Sequence, residues 1–175
     1  KDFAPVAWVA RVPNILVVHP SVPAKDFAAF MVLVKTKPGY YNYGSGGNGS
    51  AAHTTTEYLK FQTKTSLVHI PYKGTAPSVT DLLAGQIQVM FMGAPTLLPS
   101  IKAGKLRALA VSSPKRLEQL PDVPTVAESG IAGTKGFEAD QWYGVVAPAG
   151  TPADIVTKLN THINNALNKA DVKAR

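Results

Sequence analysis

Apolar and polar positions along this chain switch repeatedly between short strand-length runs and longer stretches with helical spacing. Residues 3–9 and 15–19 read as extended and are separated by Pro13-Asn14. Pro23 precedes a helix over residues 24–36, which Lys37-Pro38-Gly39 stops. A strand at 41–43 runs into a glycine-rich turn and then into helix-compatible residues 51–64. Residues 67–70 form the next strand, closed by Pro71-Tyr72-Lys73-Gly74. The arrangement then repeats twice. Thr75-Ala76-Pro77 opens a helix that Gly85 ends, with Pro77 in the first turn, where its missing N–H costs little; the strand at 87–91 follows. Met92-Gly93-Ala94-Pro95 opens another helix, which Gly104 stops before a strand at 106–112. Beyond Pro121 come a short helix at 125–129, an extended segment at 142–147, a break at 148–152 and a long amphipathic helix at 153–168. Strands and helices in alternation predict an α/β fold with a parallel sheet, whose strand-to-helix turns collect at the carboxyl edge where such folds bind ligands.

The first of those turns carries the most chemistry. In Gly44-Ser45-Gly46-Gly47-Asn48-Gly49-Ser50 the glycines permit φ > 0 and close backbone approach, and Ser50 is a good N-cap for the helix that follows. A helix start offers unpaired N–H groups and a positive dipole end, so the turn reads as an anion cradle, with Ser45, Asn48 and Ser50 as further hydrogen-bonding groups. The plainer alternative is a simple turn before a helix. Nucleotide binding is disfavoured, because the lysine of a phosphate loop is absent. The glycine spacing also departs from the dinucleotide fingerprint, and no acidic residue stands near positions 65–75. A small organic anion fits better.

Composition narrows the picture further. A chain of 175 residues can bury a real core, and no apolar run reaches the roughly 18 residues of a membrane span. With no cysteine there is no disulfide framework and no thiolate chemistry. The start at Lys1-Asp2-Phe3 carries no secretory signal. The net charge of +7 raises nucleic-acid binding, but the cations are scattered, as in Lys102/Lys105/Arg107 and Lys169/Lys173/Arg175, mostly at helix ends where they complement the dipole. No nucleic-acid partner is expected. His19, His53, His69 and His162 form no metal-ligand spacing, and neither a metal nor a cofactor is expected. His53, one turn into the cradle helix, either donates to a ligand or packs locally. Gly44-Ser45-Gly46-Gly47 falls one residue short of a nucleophile elbow, and no catalytic residue is assigned. Glu57 and Asp81 read as solvated helix positions, and Asp140 is an acid beside aromatic residues in a cleft segment.

Taken together, Lys37-Pro38-Gly39, Asn42-Tyr43-Gly44-Ser45-Gly46-Gly47-Asn48-Gly49-Ser50-Ala51-Ala52-His53, His69-Ile70-Pro71-Tyr72-Lys73-Gly74, Asp81-Leu82-Leu83-Ala84-Gly85-Gln86, Ile101-Lys102-Ala103-Gly104-Lys105-Leu106-Arg107-Ala108-Leu109-Ala110-Val111, Leu120-Pro121-Asp122-Val123-Pro124-Thr125-Val126-Ala127-Glu128 and Ala147-Pro148-Ala149-Gly150-Thr151-Pro152 resemble, in order, the extracytoplasmic solute receptors of the tripartite tricarboxylate transporter system, the Bug family. The resemblance implies a type II-like periplasmic binding protein with Rossmann-like sheets flanked by helices. It also implies a periplasmic location, a small carboxylate ligand such as a dicarboxylate, an amino acid or an aromatic acid, and membrane components of the transporter as partners. By the same similarity Ser45, Gly46, Gly47, Asn48, Gly49 and Ser50 form the second-domain ligand loop, beside which His53 stands as a candidate from its place one turn into the following helix. Tyr72, Gly74 and Thr75 on the next loop and Gly93 and Ala94 on the third should face the cleft by that similarity, while Asp140, with Trp142 and Tyr143, is expected to supply discriminating distal groups.

Two departures qualify that expectation. The family carries Asp-Asn after its Met-Phe pair, whereas Met92-Gly93 follow Met90-Phe91 here, which removes a polar contact or a negative charge from the expected site. Family members are also longer. Residues 12–137 are expected to form the complete second domain, with 1–11 and 138–175 as crossing strands and a partial first domain; a chain limited to these parts must dimerise or lose binding. Two other classes remain on the residues alone. One is a hydrolytic enzyme on an α/β scaffold, which needs a base within reach of Ser45 or Ser50. The other is a non-binding interaction module working through the helix at 153–168.

Overall fold

Proline and polar punctuation cuts the chain into the elements that the computed structural model shows over residues 2–173. The reading of Lys1 as part of the first segment, and of Arg175 as a helix-end cation, lies outside the described residues. In order the elements are β1 (Phe3–Val12), β2 (Asn14–Val18), α1 (Phe27–Thr36), β3 (Asn42–Ser45), α2 (Ala51–Thr63), β4 (Val68–Pro71), α3 (Thr75–Leu83), β5 (Val89–Gly93), α4 (Ala94–Lys102), β6 (Arg107–Val111), a 3-10 turn at Ala127–Ser129, β7 (Gln141–Pro148), α5 (Ala153–Leu167) and α6 (Ala170–Lys173). The chain divides into two compact units, residues 12–141 and residues 1–11 with 142–175.

The larger unit is built on a five-stranded sheet in the order β4-β3-β5-β2-β6. The sheet is mixed, which corrects the expectation of an all-parallel one: β3 runs parallel to β4 and β5, while β2 lies antiparallel to both β5 and β6. Every residue of β2 is buried, so its sequence is a continuous apolar run that fits either direction. Alternation divides the core between the two faces. Leu16, Val18 and Phe91 pack with Phe27, Phe30 and Leu59 on one side, and Ile15, Val17 and Met90 pack with Leu82 and Leu97 on the other.

Several boundaries differ from the sequence reading. Helix α1 begins three residues late because Asp26 is the cap, its side chain accepting the Ala29 N–H at 2.7 Å. β5 runs through Met92 and Gly93, and α4 begins at the next residue, so the third turn has no loop of its own. β1 continues to Val12 and is stopped by Pro13, which lacks the donor a ladder needs.

The smaller unit is a two-stranded ribbon of β1 and β7 with α5 and α6. Trp8 stacks on Trp142 with ring centroids 5.8 Å apart, and Asn160 Nδ2 on α5 donates to the Val6 carbonyl at 2.6 Å. Phe3, Trp8 and Trp142 are all exposed, and no α5 residue is buried. Among the described residues no helix is long and apolar enough to cross a membrane.

Candidate functional site

The loop between β3 and α2 is shaped by its glycines and then closed from within. Gly47 at φ +119 and Gly49 at φ +79 occupy the left-handed region where side chains are strained. Ser45 points inward and is fully buried; its Oγ accepts the Gly47 N–H at 3.1 Å and lies 2.6 Å from His69 Nε2. Ser50 caps α2 by accepting the His53 N–H. His53 reaches back, and its Nδ1 accepts the Gly49 N–H at 3.1 Å, which assigns the proton of the neutral ring to Nε2.

A second loop is laced to the first. The Tyr72 N–H donates to the Ser45 carbonyl at 3.1 Å, and the Gly74 N–H to the Gly46 carbonyl at 3.3 Å. A Cβ on Gly46 would stand 3.2 Å from Thr75 Cγ2, so the start of α3 sits directly against the loop. The N-termini of α2 and α3 therefore meet around one short stretch of backbone, where both dipoles favour an anion. Asn48, Gly49 and Thr75 are exposed there, while Gly46, Gly47, Ser50, Tyr72 and Gly74 are half-buried.

The remaining expected residues lie farther along the same sheet edge. Gly93 ends β5, pairs with Asn14 and is buried; Ala94 is also buried and its N–H donates to the Pro13 carbonyl at 3.0 Å. Asp140 is half-buried and accepts from the Ser112 hydroxyl at 2.7 Å, past the end of β6. Residue-level reading missed Asn14, Thr55 and Ser112. The Asn14 N–H donates to Ser112 Oγ and its Nδ2 to the Ala139 carbonyl, both at 2.9 Å, while its buried Oδ1 has no hydrogen-bond partner. A polar residue opening an otherwise apolar strand was the available signal.

Beneath the loop, Tyr43, His69 and His53 form a stacked column, with centroids 4.8 Å and then 4.2 Å apart. Glu57 is half-buried rather than a solvated position, because Tyr43 Oη donates to it at 2.5 Å and Lys60 Nζ at 2.6 Å. Asp81 is likewise half-buried and accepts from Tyr72 Oη at 2.7 Å; burial and that contact push the Tyr72 hydroxyl up to about 12. Burial opposes the Glu57 charge, but the hydrogen bonds from Lys60 and Tyr43 outweigh it and hold the carboxyl below its usual range. Burial, then the neighbouring His53, lowers His69.

These shifts set a pH dependence of stability. The unfolded chain protonates His69 first, so its contribution is complete above about 6.5 and is lost as pH falls below that towards the folded value. The contribution of Glu57 is lost lower still, as pH falls through its depressed folded value. The melting temperature is expected to fall steadily from neutral to acid pH. A His69→Asn variant should flatten the upper part of that decline, and circular dichroism melts across pH will check the slope. Among the described residues no group of three or more His, Asp or Glu could hold a metal.

Comparison with known proteins places this geometry in context. A family model described as the tripartite tricarboxylate transporter family receptor matches residues 1–174. Protein BugT of Bordetella pertussis is 39% identical over 175 residues, which is 99% of this chain and 53% of BugT. The Rhodopseudomonas palustris protein Rpa4515, solved with adipate, superposes with a TM-score of 0.87 at 38% identity, covering 98% of this chain and 56% of that one. MatC of the same species, solved with malate, gives 0.88 at 32%, covering 98% and 57%. The chain thus spans about half the length of the curated relatives it matches. Its fold is the mixed α/β fold of periplasmic binding proteins. By motif order, family model and superposition alike, the chain belongs to the tripartite tricarboxylate transporter receptor family.

Proposed function

We propose that this chain is the loop-bearing part of a periplasmic, non-enzymatic receptor that captures a small carboxylate and hands it to the membrane components of a tripartite transporter. The observation that carries this reading is the convergence of the α2 and α3 N-termini on the glycine loop, with Asn48, Gly49 and Thr75 open to solvent. Residues 12–141 then act as one lobe, and the β1–β7 ribbon with α5 belongs to the other, whose remaining parts would cover the exposed Phe3, Trp8 and Trp142. Ser45, Gly46, Gly47, Gly49, Ser50, Tyr72, Gly74 and Thr75 shape the grip, and Gly93, Ala94 and Asp140 border it along the sheet edge. Dicarboxylates are the first choice of ligand, because relatives of this fold were solved with adipate and with malate.

The hydrolase alternative finds a base near Ser45, since His69 Nε2 is 2.6 Å away. Ser45 is nevertheless fully buried, and its Oγ already takes the Gly47 N–H, so no substrate carbonyl reaches it.

Isothermal titration of the chain with adipate and with malate tests the receptor reading. Wild type is expected to bind at least one of them, with a second copy of the chain completing the cleft. A Gly49→Val variant, strained at φ +79 but meeting no neighbour within 4 Å, should lose about tenfold or more in affinity while keeping its fold. Binding unaffected by Gly49→Val would remove the loop from the site.

A further inference from the structure

We propose that His53 is a pH-operated latch on the glycine loop: its neutral Nδ1 holds the Gly49 N–H that an incoming carboxylate needs, and protonation of the ring releases that donor to the anion. The inference rests on the carboxylate reading above and adds how that site is regulated. The Gly49 N–H donates to His53 Nδ1 at 3.1 Å, and the Gly47 N–H to Ser45 Oγ at 3.1 Å, so two amides of the grip are occupied by the loop's own side chains. Of those two acceptors only the imidazole changes its chemistry between about pH 5 and 8. A protonated Nδ1 is a donor, and it can no longer accept from Gly49. The freed amide and the ring N–H then present two donors and a positive charge to an anion at the start of α2, and charge-assisted hydrogen bonds are the stronger kind.

The groups facing His53 favour this outcome. On α2, Glu57 is already shared between Lys60 Nζ at 2.6 Å and Tyr43 Oη of β3 at 2.5 Å, so its charge is largely committed. On β4, the His69 ring lies 4.2 Å away face to face, and two imidazolium charges so close repel. Burial already holds His69 towards the neutral form, and with Glu57 committed, a ligand carboxylate is the counter-charge left to a protonated His53.

Amide and imidazole nitrogen NMR of the labelled chain, with and without adipate or malate, tests the latch. In the ligand-free protein the His53 ring should show Nδ1 as an acceptor at high pH, and the Gly49 amide should follow the ring's titration. The affinity for whichever acid binds should tighten about five- to tenfold from about pH 8 to about pH 6. His53→Gln keeps an oxygen that can accept from Gly49 but cannot be protonated; it should bind weakly with no pH dependence. A Gly49 amide silent through the His53 titration, or an affinity that does not tighten while an acid binds, overturns the latch. If neither acid binds at any pH the receptor reading fails instead, and the ligand-free amide titration alone decides whether the latch exists.

Discussion

Replacing Gly133 with alanine is expected to cost roughly 3–5 kcal/mol of stability, combining left-handed strain with overpacking. Gly133 sits at φ +90, and a Cβ there would lie 1.9 Å from the Gln62 carbonyl oxygen and 2.7 Å from its carbon. These are backbone atoms in the last turn of α2, so no rotamer change relieves the clash. Either the 131–136 segment lifts away or α2 moves, and the far end of that helix carries Ser50 and His53. Gly130 at φ +70 and Gly136 at φ +72 provide the control, since a Cβ on either meets nothing within 4 Å. Alanine at those positions should cost only about 1–2 kcal/mol from strain. Urea denaturation of the three variants measures the difference, and a Gly133→Ala midpoint equal to that of Gly130→Ala would refute the close-packing account.

Gly44→Ala should cost about 2–3 kcal/mol and weaken carboxylate binding as well. A Cβ at this position would be 2.2 Å from Ile87 Cδ1 and 2.4 Å from Ser78 Oγ. The tip of Ile87 can swing aside. Ser78 has a short, fully buried side chain in the first turns of α3, so the helix itself must shift, and Thr75 moves away from Gly46 with it. Ser78 Oγ has no hydrogen-bond partner, so Ser78→Ala deletes the clashing atom without orphaning another group. The double variant should recover part of both losses. Additive stabilities in that cycle would mean that the two positions do not touch.

Much of this architecture was legible because local rules act on neighbouring residues. The strand-to-helix alternation, the Ser50 cap and the positive-φ glycines of the loop all depend on residues a few positions apart. The motif order also carried the family and its fold. What stayed hidden depends on partners brought together from a distance. The direction of β2 is unreadable in an all-buried apolar run. Glu57 and Asp81 look like ordinary helix-surface acids until Tyr43 and Tyr72 fold onto them. Ser45 reads as an open hydrogen-bonding group until His69, on the next strand, claims it. His53 allowed two readings, and only the loop's path shows its Nδ1 turned back onto Gly49.

The Trp8–Trp142 stack has a consequence for spectroscopy. These are the only two tryptophans of the chain, and both belong to the ribbon unit. Selectively excited indole emission is therefore blind to the five-stranded sheet and watches the ribbon alone, whereas tyrosine emission and far-ultraviolet dichroism are dominated by the larger unit. Superimposable melting curves from indole and dichroism would show the two units unfolding as one cooperative block. Separated curves would make the indole pair a private reporter of the ribbon, able to sense a partner surface docking there while the sheet stays unchanged.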